Sequence, residues 1–88
     1  MGRLPRVVVP RLPHHVTQCG NRRQQTFFGE KDYAEYGRLL SASCRNCGTK
    51  VLAYCLMPNH VHLILVPADD FGLRDALADA HRRWVRLF

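Results

Sequence analysis

An α+β domain with the element order β-α-β-β-α is what this sequence predicts, and three observations predict it. Two runs of strand-forming residues, Lys50 to Met57 and His60 to Val66, meet at the turn pair Pro58-Asn59. The stretch from Glu30 to about Arg45 repeats apolar residues at helical spacing. A second such stripe, Leu73, Leu77, Ala80, Trp84 and Leu87, follows the strands.

Taken in order, residues 1–13 carry Pro5, Pro10 and Pro13 among arginines and valines and read as an extended basic arm. The domain proper occupies residues 14–88. His14 to Cys19 reads as the first strand, stopped by Gly20-Asn21. Arg22-Arg23-Gln24-Gln25 then makes an exposed polar loop leading to Phe27 and Phe28. Glu30 and Asp32 sit in the first turn of the first helix, where carboxylates suit the positive end of the dipole. Its buried stripe is Tyr33, Tyr36, Leu40 and Cys44, and Gly48 is placed to cap its C-terminus. Pro67 ends the third strand, and Asp69-Asp70 is placed to cap the last helix. These are the opening five elements of a ferredoxin-like split βαβ unit, an antiparallel sheet with helices on one face. The strand that would complete such a sheet is not in the pattern, so its edge is bare or covered by a second copy.

Eighty-eight residues make one small domain, and 47% hydrophobic residues give it a modest core. No apolar run approaches the roughly 20 residues that cross a bilayer, and the N-terminal apolar stretch is too short for a signal peptide. A cytoplasmic protein is expected. Net charge is +6, with eleven of thirteen basic residues arginine. The planar guanidinium suits phosphate, so a nucleic-acid partner fits, although a GC-rich genome also produces arginine-rich chains.

The chemistry concentrates in Met57-Pro58-Asn59-His60-Val61-His62-Leu63-Ile64-Leu65. In a strand, His60 and His62 point the same way, about 7 Å apart along the chain, and can close on one divalent ion. With an even-length turn at Pro58-Asn59, Met57 faces His60 and Cys55 faces His62. Cys55, Met57, His60 and His62 then share one face. Tyr54, Leu56, Val61, Leu63 and Leu65 line the other, which the helices should cover.

Tyr54-Cys55-Leu56-Met57-Pro58-Asn59-His60-Val61-His62-Leu63-Ile64-Leu65 resembles the signature of the small tyrosine transposases of the HUH type, the insertion-sequence-200-like group with its REP-associated members. His15-Val16-Thr17-Gln18, Gly20-Asn21-Arg22-Arg23 and Phe27-Phe28 are similar to that family's first strand and following loop, so the likeness runs over residues 14–84. The resemblance implies transposition of single-stranded, hairpin-bearing DNA by a homodimer. It implies a divalent cofactor, Mg2+ or Mn2+, held by His60 and His62. It also implies a nucleophilic tyrosine on a helix beyond the histidines, and a third ligand near that tyrosine. Neither has a match here, because Tyr33, Tyr36 and Tyr54 all precede the histidines. The sequence is therefore expected to carry the metal half of the site without a catalytic residue, as a truncated form. DNA contacts are expected from Asn21, Arg22 and Arg23 in the loop and from Arg82 and Arg83 on the last helix.

Two other readings stand beside this one. The first is a non-catalytic remnant that only binds single-stranded or hairpin DNA. The second is a zinc-stabilised module, since Cys44-Arg45-Asn46-Cys47 has metal-ligand spacing and twelve residues separate Cys47 from His60. A zinc finger, however, spaces its histidines about three to five apart on a helix, not one apart in a strand.

Overall fold

The computed structural model describes residues 7–20 and 25–84, and they follow the expected order: β1 (His14–Cys19), α1 (Glu30–Asn46), β2 (Thr49–Met57), β3 (His60–Pro67) and α2 (Gly72–Arg83). The three strands form one antiparallel sheet in the order β1-β3-β2. The chain thus leaves β1, crosses by α1 to the far edge, and returns by a hairpin to the centre. This is an α+β fold. No helix among the described residues is long and apolar enough to cross a membrane.

Register is set by the hairpin. Met57 lies opposite His60, Cys55 opposite His62 and Tyr54 opposite Leu63, as the two-residue turn requires. On the other side of β3, Thr17 is opposite His62, Cys19 opposite His60 and Val16 opposite Leu63. Because directly opposed residues share a face, one sheet face carries Val16, Leu63 and Leu65, all fully buried. The other carries Thr17, Cys19, Cys55, Met57, His60 and His62.

Both helices pack on the apolar face. Helix α1 contributes Tyr36, Leu39, Leu40, Ser43 and Cys44, and α2 contributes Leu73, Ala76, Leu77 and Ala80. Phe27, just before α1, sits at the centre of an aromatic cluster. Its ring lies 4.7 Å from Tyr33, 5.3 Å from Tyr36 and 5.8 Å from Trp84 by centroids. Gly48 follows α1 with φ of +66°, the left-handed conformation that closes a helix at little cost only for glycine. Gly72 permits a close approach, since a Cβ there would lie 2.7 Å from Thr49 Oγ1.

Three details depart from expectation. Asp69 does not cap α2: its Oδ1 accepts the backbone N–H of Phe71, making a local turn, and α2 begins without a side-chain cap. Strand β2 lies at the sheet edge and is less covered than its pattern suggests. Tyr54 stays 59% exposed on the helix side of the sheet, and a register shift between Val51 and Ala53 bends the strand. Residues 7–13, the described part of the N-terminal arm, fold back on the domain. The Arg11 N–H donates to the Pro67 carbonyl, His14 Nδ1 lies 2.7 Å from the Leu12 carbonyl, and Val8 packs against the core.

The helices are joined by a polar seam. Ser43 Oγ donates to Asp79 at 2.7 Å, and Tyr36 Oη lies 3.2 Å from His81 Nε2. Burial pushes the His81 imidazole down to about 4, so the folded protein keeps it neutral where an unfolded chain would already protonate it. A depressed pKa means stability that is present above the ordinary histidine value of 6.5 and is lost as pH falls from there to about 4. The full loss is on the order of 3 kcal/mol. His81→Gln should therefore flatten this part of the stability profile in denaturant titrations at pH 7 and pH 4.5, relative to the parent chain.

Candidate functional site

The open face of the sheet is built by strand alternation. Thr17 and Cys19 of β1, His60 and His62 of β3, and Cys55 and Met57 of β2 project from it, and no helix covers them. A seventh strand residue reaches the same place. His15, from β1, brings its Nε2 to 3.1 Å from His62 Nδ1, with Thr17 Oγ1 3.4 Å from the same nitrogen. The rings of His60 and His62 meet edge to face with centroids 5.0 Å apart. His60 in turn places Nδ1 2.7 Å from Asn59 Oδ1.

These contacts bear on whether the two rings could hold a metal. The Nδ1 atom of each is engaged with the protein, which leaves each Nε2 as the nitrogen that could ligate. Two neutral imidazoles form a borderline donor set, better matched to Mn2+ than to Mg2+, and they leave most coordination positions to other ligands. Among the described residues no group of three or more His, Cys, Asp or Glu side chains is arranged to hold an ion. The histidine pair is thus not part of a closed cage among the described residues.

The segment before α1 is tied to the histidine hairpin from both ends. The Gly20 N–H donates to the Asn59 carbonyl at 2.9 Å, and the N–H groups of Thr26 and Phe27 donate to the Pro58 carbonyl. Asn21, Arg22 and Arg23, the expected loop contacts to DNA, lie outside the described residues. Arg82 and Arg83 are on α2, in the helix layer, on the far side of the sheet from the histidines. Both bind Asp79, at 2.6 and 3.4 Å. The Asp79 carboxyl is held below the usual range by the Ser43 hydroxyl first and then by these two guanidinium groups.

None of the three tyrosines joins the histidines. Tyr36 is buried, its hydroxyl raised by desolvation and close to His81. Tyr33 stacks on Phe27, and Tyr54 projects from the opposite face of β2. The cysteine pair is equally remote. Cys44 is buried in the core, its thiol pushed up to about 11 by burial and by neighbouring Cys47. Cys47 closes α1, its thiol raised first by burial and then by nearby carboxylates. Both thiols lie on the helix side of the sheet, away from the histidines, and among the described residues no three such side chains group as a zinc site would need.

His15 and Asn59 appeared in the sequence motifs but were not expected as site residues. Asn59 could have been found as the neighbour of His60 in the turn. His15 could not, because its role depends on the pairing of β1 with β3, and nothing local in the sequence sets that register.

The structure is thus a two-layer α+β domain with a histidine pair on the sheet face opposite the helices. The IS200-like transposase family matches residues 8–82, and the chain belongs to that family. No curated protein matches it. Among solved structures, a candidate transposase of Deinococcus radiodurans R1 is similar at 21% identity with a TM-score of 0.72, over 93% of this chain and 65% of the other. A REP-associated tyrosine transposase bound to a REP hairpin is similar at 20% identity with a TM-score of 0.65, over 94% of this chain and 53% of the other. At such identities the likeness is one of fold. The chain spans about 65% and 53% of these two proteins.

The core is assembled from apolar side chains of the helices and the helix-facing side of the sheet, so removal of divalent ions by a chelator should leave the thermal midpoint unchanged. Cooperative unfolding on chelation, followed by calorimetry or circular dichroism, would instead establish a structural zinc site.

Proposed function

We propose that this chain supplies the metal- and DNA-binding half of a single-strand-specific tyrosine transposase acting in the cytoplasm on hairpin-bearing DNA. The observation that carries the reading is the placement of His60 and His62. They sit together on the solvent face of the central strand, where they make no contribution to the core.

In this reading His60 and His62 hold Mn2+ or Mg2+ through Nε2. The bound ion would supply stabilisation of charge developing on a scissile phosphate. The protein does the rest by position. Strand β3 holds the two imidazoles on one face, and the hairpin carbonyls of Pro58 and Asn59 accept from Gly20, Thr26 and Phe27. In this reading Asn21, Arg22 and Arg23 follow a phosphate backbone. Arg82 and Arg83 would touch DNA only if the strand wraps to the helix side. A second copy of the chain is the natural cover for a bare sheet edge, which supports a homodimer.

The cleaving step needs a tyrosine to form the covalent link that conserves bond energy for rejoining. Tyr33, Tyr36 and Tyr54 all face away from the histidines, which favours DNA binding without cleavage by the 88 residues alone. The test is incubation with labelled hairpin DNA and Mn2+, resolved on native and denaturing gels. A metal-dependent shift that His60→Ala abolishes is expected, with no covalent adduct. An adduct would show that one of the three tyrosines acts, and the absence of any shift would remove DNA from the account.

A further inference from the structure

We propose that Asn59 and His15 are positioning residues that hold both metal-facing histidines in the Nδ1–H tautomer, so that each Nε2 presents a bare lone pair before any ion arrives. The inference rests on the metal-site reading above and adds to it how the site is prepared.

For His60 the argument is one of donor and acceptor. Its Nδ1 lies 2.7 Å from Asn59 Oδ1. An amide oxygen can only accept, so the imidazole must carry its proton on Nδ1, and Nε2 is left unprotonated. The bond links adjacent residues across the hairpin corner, which holds the Asn59 side chain beside its partner.

For His62 the partner is a second ring. His15 Nε2 is 3.1 Å from His62 Nδ1, with the ring planes 18° apart and the centroids separated by 5.2 Å. Centroids that far apart with nitrogens that close mean rings meeting side by side, not face to face. The N–H of one therefore points in plane at the lone pair of the other, the geometry a hydrogen bond prefers. Two arrangements satisfy that contact. If His15 donated, His62 would carry its proton on Nε2 and could not ligate. If His62 donates, His15 accepts on Nε2 and keeps its own proton on Nδ1. The second is the arrangement compatible with metal, and Thr17 Oγ1, 3.4 Å from His62 Nδ1, offers the same nitrogen an additional acceptor. Outer partners of this kind set the tautomer and orientation of ligating imidazoles generally.

The experiment uses the metal-free 88-residue chain with 15N-labelled histidine, at pH 8, in long-range proton–nitrogen spectra that distinguish the two ring nitrogens. Nδ1–H on both His60 and His62 is expected. Nε2–H on either ring overturns the proposal for that ring. Mn2+ affinity, read from the free-ion EPR signal, supplies the second arm. Asn59→Ala, and His15→Phe combined with Thr17→Val, should each weaken Mn2+ binding about 10- to 100-fold. The phenylalanine keeps a ring beside His62 but offers no acceptor, whereas His15→Gln offers an oxygen and should retain the affinity. Parent-like affinity in the acceptor-free variants overturns the proposal. A parent chain with both rings as Nδ1–H that binds no Mn2+ supports the tautomer assignment and contradicts the metal-site reading, so the two failures are told apart.

Discussion

The pairing register of β3 is the constraint on which the rest of the structure depends. The strand alternates His60, His62 and Ile64 with Val61, Leu63 and Leu65, and the second set is fully buried. A slip of one residue against either neighbour would drive two imidazoles into an apolar core and expose three large aliphatic side chains. Burial energy therefore enforces the histidine placement. The helices, the aromatic cluster around Phe27 and the hairpin turn all specify the position of His60 and His62 indirectly, through the residues between them.

This separates the two faces by function. One face is closed by α1 and α2, whose own junction is polar where Ser43 meets Asp79 and Tyr36 meets His81. The other is open and carries His15, Thr17, Cys19, Cys55, His60 and His62. Because the core lies wholly on the first face, the second can vary in ligand occupancy without loss of fold. The cysteine pair at the end of α1 belongs to the closed side, with Cys44 in the core and Cys47 packed against it.

Much of this was legible in the residues themselves. The parity of a two-residue turn placed Met57 opposite His60 and Cys55 opposite His62 before any coordinates. Helical spacing found Tyr36, Leu40 and Cys44 in α1, and Leu73, Leu77, Ala80 and Trp84 in or at the end of α2, all of them buried. What escaped was tertiary. Asp69 has the composition of a helix cap but spends its carboxylate on Phe71 in a preceding turn. Tyr54 has the parity of a core residue, yet the edge position of β2 leaves it exposed. Arg82 and Arg83 read as phosphate ligands from composition, and the fold sets them against Asp79 on the layer away from the histidines. His15 became visible only through the pairing of a strand forty-seven residues away in sequence from His62.

The account turns on the open sheet face being where the divalent ion binds. The most direct measurement is a substoichiometric Mn2+ titration of the 15N-labelled chain, following which backbone amide signals broaden first. Those of Thr17, Cys19, Cys55, His60 and His62 should broaden at the lowest ion ratio, with α1 and α2 affected last. Earliest broadening around Asp69, Asp75 and Asp79 in the helix layer would place the ion among carboxylates on the wrong side of the sheet and contradict the account.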